Sequence, residues 1–148
     1  MENTTLNQVL NAIQTVSENH AQVNGYDFGE FSDIAASKQE KYALVWSNVL
    51  PSNIVQKTTE LNIEIWVMDI QKDDMKNEKD TLSDTFEIAL DIYAMLTNPV
   101  YQDMFVVDYN VPLEVIREGL PDKVNGWKMN LKFQLVNLRN RCQVPTNN

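Results

Sequence analysis

The sequence predicts an α+β domain, a mainly antiparallel sheet of four to five strands with two principal helices packed on one face. Three observations carry this. The hydrophobic periods run helix, strand, strand, helix, then two or three strands, with no regular βαβ alternation. The segment GWKMNLKFQLVN (126–137) sets Trp127, Met129, Leu131, Phe133 and Leu135 against Lys128, Asn130, Lys132 and Gln134, the pattern of a sheet with one buried and one wet face. The chain has 148 residues, 43% of them hydrophobic, enough for one core. No repeat, low-complexity tract or linker interrupts it. It reads as a single domain over 1–148, with 139–148 as an extended C-terminal tail.

Taken in order, residues 5–17 predict an amphipathic helix. Leu6, Val9, Leu10, Ile13 and Val16 follow the 3.6 period, and Thr4 or Thr5 can cap its start. A glycine-marked loop follows, SENHAQVNGYDFGEFSDIAAS, holding the chain's only histidine, His20. YALVWSNVLP reads as a first strand closed by Pro51. TELNIEIWVMDI reads as a second, with Leu61, Ile63, Ile65 and Val67 facing one way and Asn62, Glu64, Trp66 and Met68 the other. The charged QKDDMKNEKD predicts a turn. A helix is expected over 82–97, with Thr81 and Asp84 at capping-box spacing and Asn98-Pro99 as its stop. Its apolar residues form two stripes: Leu82, Phe86, Ala89, Leu90, Tyr93 and Leu96, and beside them Ile88, Ile92 and Met95. That arc is wider than one sheet face needs. MFVVDY and LEVIRE predict short strands, and Asn125-Gly126 predicts a turn before the last one.

Charge narrows the function classes. The net charge is −9, and it is uneven: residues 1–110 carry 18 acids and 6 bases, residues 111–148 carry 3 acids and 6 bases. An acidic chain repels phosphate, which disfavours sequence-independent nucleic-acid binding. The basic end suits an acidic neighbour, including a second copy of the chain. One cysteine, Cys142, allows no intramolecular disulfide and no Cys-rich zinc site. The first ten residues lack the basic-then-apolar order of a signal peptide, and no stretch approaches the ~20 apolar residues of a membrane span. A soluble protein made in the cytoplasm is expected.

Motifs that carry chemistry are missing. There is no G-x-S-x-G elbow, no G-x-G-x-x-G and no G-K-[ST]. His20 reads as a helix C-terminal cap, favoured by the negative dipole end. Gly25 and Gly29 read as turn residues that permit positive φ. An EF-hand loop counted from Asp69 puts Gln71 at its third position and Asp74 where glycine is required, so it fails. Lys128 and Lys132 lie opposite Trp127 and Phe133 on their strand, so bases and aromatics do not share a stacking platform. No catalytic, cofactor-binding or metal-ligating residue is expected.

Three stretches carry a family resemblance: NHAQVNGYDFGEFSDIAASKQEKYALVW, VMDIQKDDMKNEKDTLSDTFEIALDI, and NGWKMNLKFQLVN near Cys142-x-x-Pro145. They resemble small virion proteins of tailed bacteriophages of Bacteroidetes hosts, including crAss-like phages. The element order also looks like that of tail-terminator and neck proteins. What the resemblance implies is a ring-forming structural subunit of the head-to-tail connection or upper tail, located in the virion and made in the host cytoplasm. Its expected partners are itself and neighbouring neck, portal or tail proteins, with no membrane and no sequence-specific nucleic acid. It implies no enzyme and no cofactor. The expected subunit interface comprises Tyr26, Phe28 and Phe31 on the first loop, Ile88, Ile92 and Met95 on the second helical stripe, and the opposite charges of Asp73 and Asp74 against Arg139 and Arg141. The 19–31 loop either docks on a neighbour or folds back on its own sheet. The alternative function is a soluble non-virion adaptor or inhibitor acting as a monomer during infection. An enzyme with an unrecognised carboxylate site ranks last.

Overall fold

A computed structural model describes residues 4–30, 42–70, 78–117, 124–135 and 144–147. The elements are α1 (Leu6–Asn19), β1 (Gly25–Phe28), β2 (Leu44–Val49), β3 (Asn53–Val55), β4 (Thr58–Ile70), α2 (Glu78–Leu96), a 3₁₀ turn (Pro99–Tyr101), β5 (Phe105–Val107), β6 (Leu113–Arg117) and β7 (Val124–Leu135). The class is α+β as expected, but the sheet has seven strands among the described residues rather than four or five.

Helix α1 starts where its side chains can satisfy free N–H groups. Thr5 Oγ1 accepts from the Gln8 N–H at 3.2 Å, and Gln8 Oε1 accepts from the Thr5 N–H at 2.8 Å, a complete capping box. His20 closes the helix, its backbone N–H donating to the Ser17 carbonyl. Helix α2 begins by Glu78, so Thr81 is not its cap: it lies inside the first turns, buried, and its carbonyl accepts from Thr85 Oγ1 at 2.7 Å. Glu78 and Asp80 in the first turn complement the helix dipole instead.

The sheet is organised by its two long strands. Strand β7 pairs antiparallel with β4 over twelve positions, from Thr59–Leu135 to Ile70–Val124. Strand β4 also pairs with β2, and β1 adds to β2 in parallel, giving the order β1-β2-β4-β7-β5. Strand β3 pairs with the start of β4, and β6 with the start of β7. One edge of the sheet is therefore β1 and β3, and the opposite edge is β5 and β6. Asn125 and Gly126 do not turn the chain. They lie inside β7, paired with Asp69 and Met68.

Both helices cover one face. Val9, Ile13 and Val16 of α1 and Ile88, Ala89, Ile92 and Leu96 of α2 join Ile63, Ile65, Val67, Met129, Leu131 and Phe133 in one core. The wide apolar arc of α2 has a local explanation. Its centre (Thr85, Ile88, Ala89, Ile92, Leu96) is buried. One flank meets β7, where Phe86 packs edge-on to Trp127 at 5.3 Å and Trp127 Nε1 donates to the Leu82 carbonyl at 2.9 Å. The other flank meets α1, where His20 pairs with Asp91. The far face is not uniformly wet either. Leu44, Trp46, Met68, Ile116 and Val124 are buried there as a second, smaller cluster, with Trp46 Nε1 donating to the Gly29 carbonyl at 2.9 Å.

Candidate functional site

Among the described residues, His20, Tyr26 and Ser47 are each engaged by hydrogen bonds. His20 Nδ1 accepts from the Gln22 N–H at 3.1 Å, which leaves the proton on Nε2, and Nε2 donates to Asp91 Oδ2 at 2.8 Å. Both ring nitrogens hold the loop after α1 against α2, so the ring has no lone pair to offer a substrate. Tyr26 shares a 2.6 Å hydrogen bond with the fully buried Ser47, and burial raises the phenol's pKa above its ordinary value. The carboxylates of Asp27 and Glu18 add to that rise in lesser part. Asp69 is raised too, first by burial and in lesser part by the charge of Asp84, while the Ile70 N–H opposes the shift. No group of three His, Cys, Asp or Glu side chains among the described residues is placed to hold a metal ion, and no helix there is long and apolar enough to cross a membrane.

The far face also carries a polar cleft of about 440 Å³. Asn62, Asn130 and Lys132 line its floor, and Leu50, Pro51 and Asp108 its sides. Lys132 Nζ lies 3.8 Å from Glu60. Nearby, Lys128 Nζ lies 3.0 Å from Glu114, 3.9 Å from Glu64 and 5.4 Å from the Trp66 ring centre. Bases and an aromatic thus share this face after all, through Trp66. The carboxylates neutralise the cations, so the patch still does not favour a nucleic-acid backbone.

Six of the eleven exposed large apolar side chains among the described residues stand at the two sheet edges; Leu6, Ile70, Leu90, Val100 and Val144 lie elsewhere. On the first edge stand Phe28, 46% exposed, Ile54, 79%, and Val55, 45%. On the opposite edge stand Val106, Val115 and Tyr109, the last 90% exposed. A groove of about 280 Å³ runs along β5, with Leu96 and Phe105 at its base and Gln102, Val106 and Tyr109 along it. Edge strands present N–H and C=O groups to one side, and no strand among the described residues pairs with the outer side of these two borders, where the Met104 carbonyl at the start of β5 accepts from Thr4 Oγ1 at 2.7 Å.

Strand β3 is held out by a strained turn. Val55 pairs with Thr58 across a two-residue loop in which Gln56 and Lys57 have φ of 47° and 68°. A type I′ hairpin turn demands positive φ at both positions, and sequences normally supply Asn-Gly. Each non-glycine residue there costs about 1–2 kcal/mol. The missing Asn-Gly is why this hairpin was not legible.

The expected interface residues separate. Ile88 and Ile92 are 2% and 0% exposed in the chain's own core and offer nothing to a neighbour. Met95 packs half-buried against the same core. The 19–31 loop resolves in part into β1, a strand of the chain's own sheet: Tyr26 turns inward to Ser47, and Phe28 stays outside. Phe31, Asp73, Asp74, Arg139 and Arg141 lie outside the described residues. The residues that sequence reasoning missed are Ile54, Val55 and Val106, because edge position depends on strand order rather than on any local signal.

No protein-family model matches this chain, and no curated protein matches it.

Proposed function

We propose that the chain is a virion structural subunit that assembles head to tail through its two sheet edges into a ring, in the head-to-tail connection or upper tail of a tailed bacteriophage. One observation carries the assembly reading. Among the described residues, exposed apolar side chains and the outermost strands lie on two different surfaces at opposite borders of one sheet. A ring repeats one heterologous contact, which needs two such complementary surfaces on each copy. An isologous dimer would need only one. The phage setting is supported by the sequence resemblance, and the engaged state of His20, Tyr26 and Ser47 accords with a structural role.

Multi-angle light scattering and negative-stain microscopy of the purified chain test the assembly. A closed oligomer at micromolar concentration is the expected result. Mass spectrometry of purified virions tests the setting. A monomer under all conditions, with no copy in virions, would refute this reading in favour of the soluble adaptor.

A further inference from the structure

We infer that β3 of one copy adds antiparallel to β5 of the next, so that the sheet continues from subunit to subunit, with Ile54 entering the groove beside Phe105. This rests on the head-to-tail assembly proposed above and specifies its contact.

The pairing registers carry the argument. Asn53 pairs with Glu60, Glu60 with Gln134, and Gln134 with Val106. One step along, Ile54 pairs with Thr59, Thr59 with Leu135, and Leu135 with Phe105. Strands β3 and β5 are therefore the two ends of the same cross-strand rows, each three residues long. A second copy displaced along those rows brings its β3 beside β5. Every pairing in the row is antiparallel, so β3 and β5 run in opposite directions, and the new pair is antiparallel as well.

Side-chain alternation then fits. Ile54 shares its row with Leu135 and Phe105, which face the helices, and the groove by β5 is floored by Phe105 and Leu96. Asn53 and Val106 share the opposite face. Charge complements shape. Residues 50–59 hold one base, Lys57, and no acid; residues 96–112 hold Asp103 and Asp108 and no base. In this register the turn holding Lys57 falls level with Asp103, while Asp108 falls level with Pro51 at the other end of the strand, so it is the Lys57–Asp103 approach that favours this partner over a copy presenting the same edge. Main-chain pairing supplies the geometry, as in strand addition generally, and the Ile54 anchor supplies selectivity.

The test uses the full chain with Cys142→Ser. Asn53→Cys and Val106→Cys are both exposed positions on one face, directly opposed in the proposed pair, where Cβ atoms lie about 4.5–5.5 Å apart. Under mild oxidation each single variant should stay uncrosslinked, an equimolar mixture should give covalent dimers, and the double variant should give a ladder ending at the ring. Ile54→Ser should leave thermal unfolding unchanged while weakening association at least tenfold. If the parent chain assembles but the mixture does not crosslink and Ile54→Ser assembles normally, this contact is wrong and the assembly reading survives. If the parent chain is a monomer, the assembly reading itself fails and this contact falls with it.

Discussion

Gly126→Ala should be the most damaging single methyl addition in the sheet. Gly126 lies within β7, paired with Met68 on one side and Ile116 on the other. A Cβ built there collides with the Val67 carbonyl oxygen and comes within 2.9 Å of both Met68 Cα and the Val67 carbonyl carbon. The obstacles are backbone atoms, so no rotamer change relieves the contact; β4 and β7 must separate locally. Overpacking typically costs about 1–3 kcal/mol, and the rigid surroundings place this case at about 3 kcal/mol or more. Against a total stability of about 5–15 kcal/mol, that is a large fraction. For a chain of this length it lowers Tm by about 6–12 °C. Circular-dichroism melts and urea titrations measure it, with Gln134→Ala, exposed on the same strand, as a control expected within about 0.5 kcal/mol. A Gly126→Ala protein melting within about 2 °C of the parent would show that β4 and β7 do not meet in this register.

Two further perturbations probe the packing of α2 and its neighbourhood. Trp127→Phe keeps a ring against Phe86 but removes the donor to the Leu82 carbonyl, and should cost about 1–2 kcal/mol in urea midpoint analysis; an unchanged midpoint would mean that the helix does not rest on this bond. Asp69 has a folded-state pKa above its unfolded value, mainly through burial, so the stability it contributes is present in acid and is lost as pH rises through the folded value. Asp69→Asn should therefore raise Tm near pH 7 and change it little near pH 3. A variant less stable than the parent near neutrality would reverse that sign and refute the argument.

What could be read from the chain was what is local to it. The cap at Thr5, the apolar stripe of α1 and the alternation of β4 and β7 are set by side chains within a few residues of each other, because helix and strand periods are properties of a single segment. The same logic made Asn125-Gly126 look like a turn. Locally the pair suits one, but glycine is required there because β4 approaches too closely for any Cβ, a demand made by a strand more than fifty residues away. Strand β1 is not legible in the sequence because its four residues are too short a run to set a period and gain strand geometry by pairing in parallel with β2.

The candidate site divides along the same line. The stripe holding Ile88, Ile92 and Met95 announced that part of α2 must be covered, and hydrophobic burial, being non-directional, does not name the cover. Tertiary structure supplied it from within: α1 on one flank and β7 on the other, with Ile88 and Ile92 in the core between them. Conversely, the segment holding Ile54 and Val55 gave no sign of being an edge. A strand is an edge only because of the order in which all the others pair, and that order places β3 and β5 at opposite ends of one row. Sequence alone determined the class, the long strands and the absence of catalytic motifs. Which apolar residues remain outside was decided by non-local pairing, which no segment encodes by itself.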